Sequence, residues 1–341
     1  MAMSVSGQYG DRSLRLDDLA SADPAMRECL EVARLAAPHD LEILIVGESG
    51  TGKNLLALAI HNESARRKGP FEILDGGRVA EDLIESEIFG HERGAFTGAH
   101  SERRGLFQLA HGGTLFLDEV GNMSPGLQRK LLTAVERRTF RRVGGSEELN
   151  VDLRLISATN ADLAGDIDRG AFRRDLYHRL CRVVIRVPPL RERQADILPL
   201  ARQSLAEANE KYGRKTEGFT AECDDRLRSY PWPGNVRQLC RAVSTAVALW
   251  PTPVIDWKEL APHLEPRLDG SAAGSPSAEA GVPSLEAPLD LVERWHIERV
   301  LRHTGSNITR AASILGVSRR GLYDKLRRHG LLPEGESTSG E

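Results

Sequence analysis

The chain has 341 residues, 40% of them hydrophobic, and a net charge of −3, which is enough apolar material for a substantial core and enough length for two or three domains. No apolar run approaches the roughly 18 residues of a membrane span, and the polar N-terminus lacks a signal-peptide plan, so the sequence predicts a cytoplasmic protein with no membrane partner. Charge is unevenly spread: Arg294 to His329 holds nine Lys and Arg against Glu298 and Asp324, a local +7 that leaves −10 for the remainder, the pattern of a nucleic-acid-binding end on a body that does not attract phosphate backbones.

After a short N-terminal segment, residues 1–19, short apolar strand candidates at Glu42-Val46, Thr114-Leu117, Arg154-Ala158 and Val183-Val187 alternate with helical patterns. That alternation predicts an α/β unit with a parallel sheet over residues 20–189. Past Pro188-Pro189 the pattern turns helical, with candidates near Ala195-Tyr212, Ala221-Ser229 and Val236-Leu249 separated by Gly213, Gly218 and Pro231-Trp232-Pro233-Gly234, a small helical domain over 190–264. Residues 265–288 are rich in Gly, Ser, Ala and Pro and are expected to be a flexible linker. A compact helical unit follows over 289–332, then a tail at 333–341 that is expected to be disordered. The four cysteines, Cys29, Cys181, Cys223 and Cys240, are too scattered for a metal clip or disulfide framework and fit buried thiols in a reducing compartment.

Strand residues Ile43 to Val46 run into Gly47-Glu48-Ser49-Gly50-Thr51-Gly52-Lys53-Asn54, the G-x-x-x-x-G-K spacing of a Walker A loop. Its glycines let backbone N–H groups turn toward a nucleotide's phosphates, the following helix N-terminus favours their charge, and Lys53 reaches the β- and γ-phosphates. The position that commonly holds a Mg²⁺-binding Ser or Thr is Asn54, leaving Thr51, Asn54 or a water for that task. Gly112-Gly113-Thr114-Leu115-Phe116-Leu117-Asp118-Glu119 delivers two carboxylates to the C-terminal end of a strand, where α/β sheets bind ligands. Alone such a pair is commonly a solvated turn; beside a Walker A loop, Asp118 is expected to hold Mg²⁺ and Glu119 to polarise the attacking water.

Gly94-Ala95-Phe96-Thr97-Gly98-Ala99 spells GAFTGA, preceded by Glu85-Ser86-Glu87-Ile88-Phe89-Gly90-His91-Glu92-Arg93. Small residues around one Phe make a pliable loop with a single apolar anchor, suited to transient protein contact. On these residues the chain closely resembles the sigma-54-dependent activators of the AAA+ class, and the resemblance spans roughly Ala20 to Leu264 and Leu291 to Leu332. It implies an AAA+ P-loop ATPase with a helical lid, using ATP and Mg²⁺, whose GAFTGA loop touches sigma-54 RNA polymerase through Phe96 and Thr97. A second pore loop matches Arg142-Val143-Gly144-Gly145 and is expected to move with the first. By the same resemblance Asn160, after the strand Leu153 to Ser157, is sensor I. Arg173 and Arg179, in Phe172-Arg173-Arg174-Asp175-Leu176-Tyr177-His178-Arg179-Leu180, are arginine fingers donated to a neighbouring subunit. Arg237, in Tyr230-Pro231-Trp232-Pro233-Gly234-Asn235-Val236-Arg237, is sensor II, with Trp232 serving packing. Fingers and lid that complete a neighbour's site imply a ring, a hexamer in the family.

The chain departs from its relatives at Asp75-Gly76-Gly77-Arg78, where they carry Asn-Cys-Ala-Ala. The family's Asn restrains the catalytic Glu; an ionised Asp75 cannot donate an amide hydrogen bond to Glu119, so coupling between partner contact and hydrolysis is expected to be altered here. Asn54 and Gln238 replace Glu residues of relatives. About twenty residues precede the ATPase, so no receiver domain is expected and control is expected from expression level or a regulatory protein in trans.

Leu301 to Leu326 reads helix, helix, turn, helix, and resembles the Fis-type helix-turn-helix of the same activators. Thr309 or Asn307 is expected to cap its second helix, Gly316 to close it and Ser318 to cap the third. Ala312, Leu315, Val317, Leu322 and Leu326 would form the core, leaving Arg310, Ser318, Arg319, Arg320, Tyr323, Lys325 and Arg327 to face enhancer DNA as a dimer on paired half-sites. Two rivals stand beside the activator: a DNA-binding regulator with weakened or lost ATPase that uses nucleotide for assembly, and a generic AAA+ remodeller of other substrates.

Overall fold

Alternation of apolar side chains builds the sheet. In strand β1 (Ile43–Val46), Ile43 and Ile45 enter one buried cluster while Leu44 and Val46 pack on the other, the two-residue period of a strand buried on both faces. Strands β2 (Phe71–Asp75), β3 (Thr114–Asp118), β4 (Arg154–Thr159) and β5 (Val183–Arg186) join it in a five-stranded sheet of order β2-β3-β4-β1-β5, every pairing parallel. β2 was not among the strand candidates; it sits at the sheet edge with Glu72 inside it, so its apolar signal is short.

The computed structural model describes residues 13–19, 21–75, 81–96, 98–264, 293, 297, 300, 301, 308–315 and 317–329. The expected linker 265–288 and tail 333–341 lie outside the described residues, as do Gly76 to Arg78, Thr97, Asn307 and Gly316. The chain divides into two units, Met1–Pro266 and Arg267–Glu341.

In the first unit, α1 (Pro24–Ala36) and α2 (Lys53–Asn62) cover one face of the sheet, and α3 (Glu81–Phe89), α4 (Leu106–Leu109), α5 (Pro125–Arg137), α6 (Leu163–Asp168) and α7 (Arg174–Leu180) supply the other cluster. Asp23 caps α1 by accepting from Ala25 N, and Ser124 caps α5 by accepting from Leu127 N, each followed by a proline at the first helical position, where proline's missing N–H is not needed. Leu14 and Leu16, ahead of the expected start at residue 20, are fully buried in the α1/α2 cluster, so the body begins earlier than composition suggested. The lid packs α8 (Gln194–Tyr212), α9 (Ala221–Ser229) and α10 (Asn235–Leu249) around a third core centred on Leu190, Leu239 and Trp232. Trp232 is fully buried and its indole N–H donates to Leu227 O at 2.8 Å, a packing role as expected.

The second unit shows α11 (Ile308–Ile314) and α12 (Arg319–Arg328). Ser318 caps α12 by accepting from Gly321 N at 3.1 Å. All five expected core residues join one cluster with Ile297, Val300, Ala311, Leu301 and Ile308. Among the described residues no helix is long and apolar enough to cross a membrane. The four cysteines are free thiols, pushed up by burial to about 11 at Cys29, Cys181 and Cys240 and about 12 at Cys223.

Candidate functional site

Parallel register brings the C-terminal ends of β1, β3 and β4 side by side, so the loop after Val46, the Asp118-Glu119 pair and Asn160 meet at one edge. Lys53 opens α2, 5% exposed, and its ammonium donates to Gly47 O at 2.8 Å and Glu48 O at 3.3 Å. It also lies 3.4 Å from Glu119 Oε1. The other Glu119 oxygen accepts from the backbone N–H of Asn160 at 3.1 Å. Glu119 stands at φ 56°, ψ 50°, a left-handed conformation costing a non-glycine residue about 1 kcal/mol or more; the two contacts hold the carboxylate where that strain aims it. The expected sensor Asn160 thus touches Glu119 through its backbone, while its side chain is exposed. Asp118 is half-buried at the end of β3. Thr51 is buried, its hydroxyl donating to Glu48 O at 2.8 Å, and Asn54 is half-buried in the first turn of α2. Asp75 closes β2 directly beside Asp118 in the register; its side chain lies outside the described residues.

The lid reaches this loop. Arg237 donates from Nη1 to Ser49 Oγ at 3.0 Å and from its backbone N–H to Gly50 O at 3.2 Å. Glu48, expected among the phosphate-binding residues, instead turns its carboxylate to the lid side: Arg191 donates to both its oxygens, at 2.8 and 2.6 Å, and Asn235 Nδ2 at 3.0 Å. The Arg191 guanidinium, helped by Asn235, holds that carboxyl below the usual carboxylate range. Arg191, Arg193 and Asn235 were missed by sequence reasoning. The signal was there as a charged run just after Pro188-Pro189 and an Asn two residues before Arg237, but neither type or spacing names a partner.

Arg173 and Arg179 part company. Arg173 caps α7 by position, its exposed guanidinium donating to Asp175 at 3.0 and 2.6 Å. Arg179 lies half-buried by the opposite end of β1, donating to Val135 O at 3.3 Å, with Glu42 at 3.7 Å.

The described residues of the GAFTGA segment close a turn: Gly94 N–H donates to Ala99 O at 2.8 Å and Ala99 N–H to Phe96 O at 3.0 Å. Gly94 and Gly98 adopt φ of 83° and 107°, values that favour glycine. Phe96 is 38% exposed and packs edge-on against His91, centroids 5.0 Å apart. The second loop grips the stem of the first, with Glu92 N–H donating to Val143 O at 3.1 Å and Arg142 pairing with Glu92 at 2.9 Å and Glu102 at 2.6 Å.

Residues 19–186 match the Sigma-54 interaction domain, 191–276 the AAA+ ATPase lid domain and 288–329 the Fis family of bacterial regulatory proteins. The transcriptional regulatory protein ZraR of Klebsiella oxytoca is 47% identical over 307 residues, 89% of this chain and 67% of that protein. GlrR of Escherichia coli K12 is 42% identical over 330 residues, covering 97% and 72%. The crystal structure of NtrX from Brucella abortus in complex with ATP aligns with a TM-score of 0.70 at 31% identity, over 92% of this chain and 69% of that one. The chain belongs to the sigma-54-dependent transcriptional activators. The activator accordingly carries an ATP-binding AAA+ domain, its lid and a helix-turn-helix.

On α12 of the activator, Ser318, Arg319, Arg320, Tyr323 and Arg327 are exposed together. Lys325 differs from the expected picture: it is half-buried, its ammonium paired with Glu293, which also faces His329 Nε2 at 3.0 Å. The Arg310 side chain lies outside the described residues.

Proposed function

We propose that the activator hydrolyses ATP as a hexameric ring, passes the resulting motion to sigma-54 RNA polymerase through the GAFTGA loop, and binds upstream enhancer DNA through α12. The observation that carries this reading is the Glu119 carboxylate, fixed between the Lys53 ammonium and the Asn160 N–H at the ligand-binding edge of the sheet. Glu119 orients the attacking water and takes up its proton. Lys53 and the loop from Gly47 to Gly52 hold the phosphates, and Arg237 reaches them from the lid. Asn160 links the Glu119 carboxylate to the end of β4.

Asp118 and Thr51, with Asn54 beside them, offer hard oxygen donors of the kind Mg²⁺ takes, and the Thr51 hydroxyl, by donating to Glu48 O, keeps its lone pairs for a cation. A magnesium ion held there would neutralise charge on the phosphates. The exposed Arg173 is free to reach a neighbouring subunit once it exchanges Asp175 for phosphate, whereas Arg179 first leaves Glu42. Donation of such an arginine is worth about 10³ to 10⁵ in rate.

Motion reaches the polymerase through Phe96 and Thr97. The Arg142 pairs to Glu92 and Glu102 make the two loops one mechanical piece. Asp75, in register beside Asp118, loosens the restraint on Glu119 that relatives impose, so Asp75→Asn changes basal or stimulated turnover; equal rates in both proteins would remove that role. The whole reading is tested by phosphate release from the purified chain together with its binding to sigma-54 in the presence of a transition-state nucleotide analogue. Binding without turnover leaves the regulator that uses nucleotide for assembly; turnover without binding leaves a remodeller of other substrates.

A further inference from the structure

Three consecutive carbonyls of the phosphate loop are each taken by a donor from the lid side. Ser49 O accepts from Asn235 Nδ2 at 3.1 Å, Gly50 O from Arg237 N at 3.2 Å, and Thr51 O from Arg193 Nη2 at 2.9 Å. Among the described residues the backbone has no cis peptide bond, and in a trans peptide the N–H points opposite to the C=O. Turning the Ser49 and Thr51 carbonyls to the lid therefore turns the N–H groups of Gly50 and Gly52 away from it. The approach is close enough that a Cβ on Gly50 would stand 2.4 Å from Gly234 O.

The residues making these bonds are themselves held. Asn235 is fully buried at φ 52°, a left-handed conformation, and its Oδ1 accepts from Leu190 N at 2.7 Å. One amide thus ties the core-to-lid junction, the Glu48 carboxylate and the Ser49 carbonyl. Arg193 is 5% exposed and its Nε has no hydrogen-bond partner among the described residues; a buried guanidinium is costly unless its bonds are worth keeping. Arg191 completes the set with its bidentate pair to Glu48.

We propose that Asn235, Arg193 and Arg191 are positioning residues: the lid holds the phosphate loop's peptide planes in the orientation that presents N–H groups to a nucleotide's phosphates, so lid placement sets nucleotide affinity before any hydrolysis. This rests on the reading of the loop as an ATP site. The Arg237 side chain is set apart from it, since Arg237 serves Gly50 through its backbone.

The test uses the full chain and the fluorescent analogue mant-ATP. Asn235→Gly keeps the left-handed backbone and removes the amide; Arg193→Met removes the donor and keeps the volume; Arg193→Lys restores a donor. Loss of a hydrogen bond of this class predicts a Kd raised roughly tenfold in Asn235→Gly and Arg193→Met, near wild type in Arg193→Lys, with kcat at saturating ATP within about threefold in all. Arg191→Ala changes a solvent-facing side chain and is expected to raise Kd about threefold, which keeps the test open should the buried variants fail to fold. Unchanged Kd in folded variants, a fall in kcat at constant Kd, or Arg193→Lys no better than Arg193→Met each overturns the proposal. Wild-type protein that does not bind mant-ATP overturns the ATP-site reading instead, so the two failures are distinct.

Discussion

The phosphate loop and the GAFTGA loop are both glycine-rich and both tight, yet they are held in opposite ways. Ser49, Gly50 and Thr51 give their carbonyls to side chains and backbone of another subdomain, and Glu48 is gripped by Arg191 and Asn235. At Gly94 to Ala99, among the described residues, the hydrogen bonds are backbone bonds within the turn, to Glu92 or from His100, and Phe96 rests edge-on against one ring. Tertiary bonds to distant segments make a loop rigid; local backbone bonds, with packing contacts to one ring and to Gly144, leave a turn that opens at less cost. The first suits a site whose geometry must not drift, the second a contact that must be made and released.

The contrast breaks first at Glu119. Glu119→Gln keeps an acceptor for the Asn160 N–H but removes the proposed base, and phosphate release is expected to fall about 10³-fold while mant-ATP binding persists. Turnover that survives would place the chemistry elsewhere. Phe96→Ala attacks the other loop. An exposed side chain costs the fold within about 0.5 kcal/mol when removed, but as the apolar anchor of a contact its loss is expected to weaken sigma-54 binding about a hundredfold. Melting temperature and sigma-54 binding measured on the same protein separate those effects, and binding that survives would move the contact off Phe96.

How much of this was legible in the sequence follows the same division. The Walker A loop, the Asp118-Glu119 pair and the GAFTGA turn are local, since their chemistry depends on residues adjacent in the chain, and the structure gathers the first two at one sheet edge. The helix-turn-helix core was also legible, because helical period turns Ala312, Leu322 and Leu326 inward and the short connection between the helices leaves Leu315 and Val317 to pack against them. The partners of Glu48 were not: Arg191 lies 143 positions away and Asn235 187, and no period or motif ties them. Strand β2 escaped for a different reason, having Glu72 within a five-residue strand at the sheet edge. Glu119's left-handed backbone and the burial of Leu14 and Leu16 are likewise products of tertiary packing.

On α12 the division between held and free side chains recurs within one helix. Arg320 is exposed, whereas Lys325 is committed to Glu293. Arg320→Ala is expected to weaken enhancer binding by about 1 to 3 kcal/mol, roughly fivefold or more, and Lys325→Ala by less, because its ammonium must leave Glu293 before it reaches a phosphate. Gel shifts across a salt series measure both, and equal losses would erase the distinction. The smallest effect tests the pair itself. Lys325, then His329, lowers the Glu293 carboxyl from 4.5 to about 2, so the carboxylate's contribution is present above the ordinary value and is lost as pH falls through that window. Thermal melting of the second unit should therefore weaken between those two values in the wild type, and Glu293→Gln should flatten that part of the profile. A Gln variant with the same acid slope would show that Glu293 does not anchor Lys325 in solution, and would return Lys325 to the set of side chains free to meet DNA.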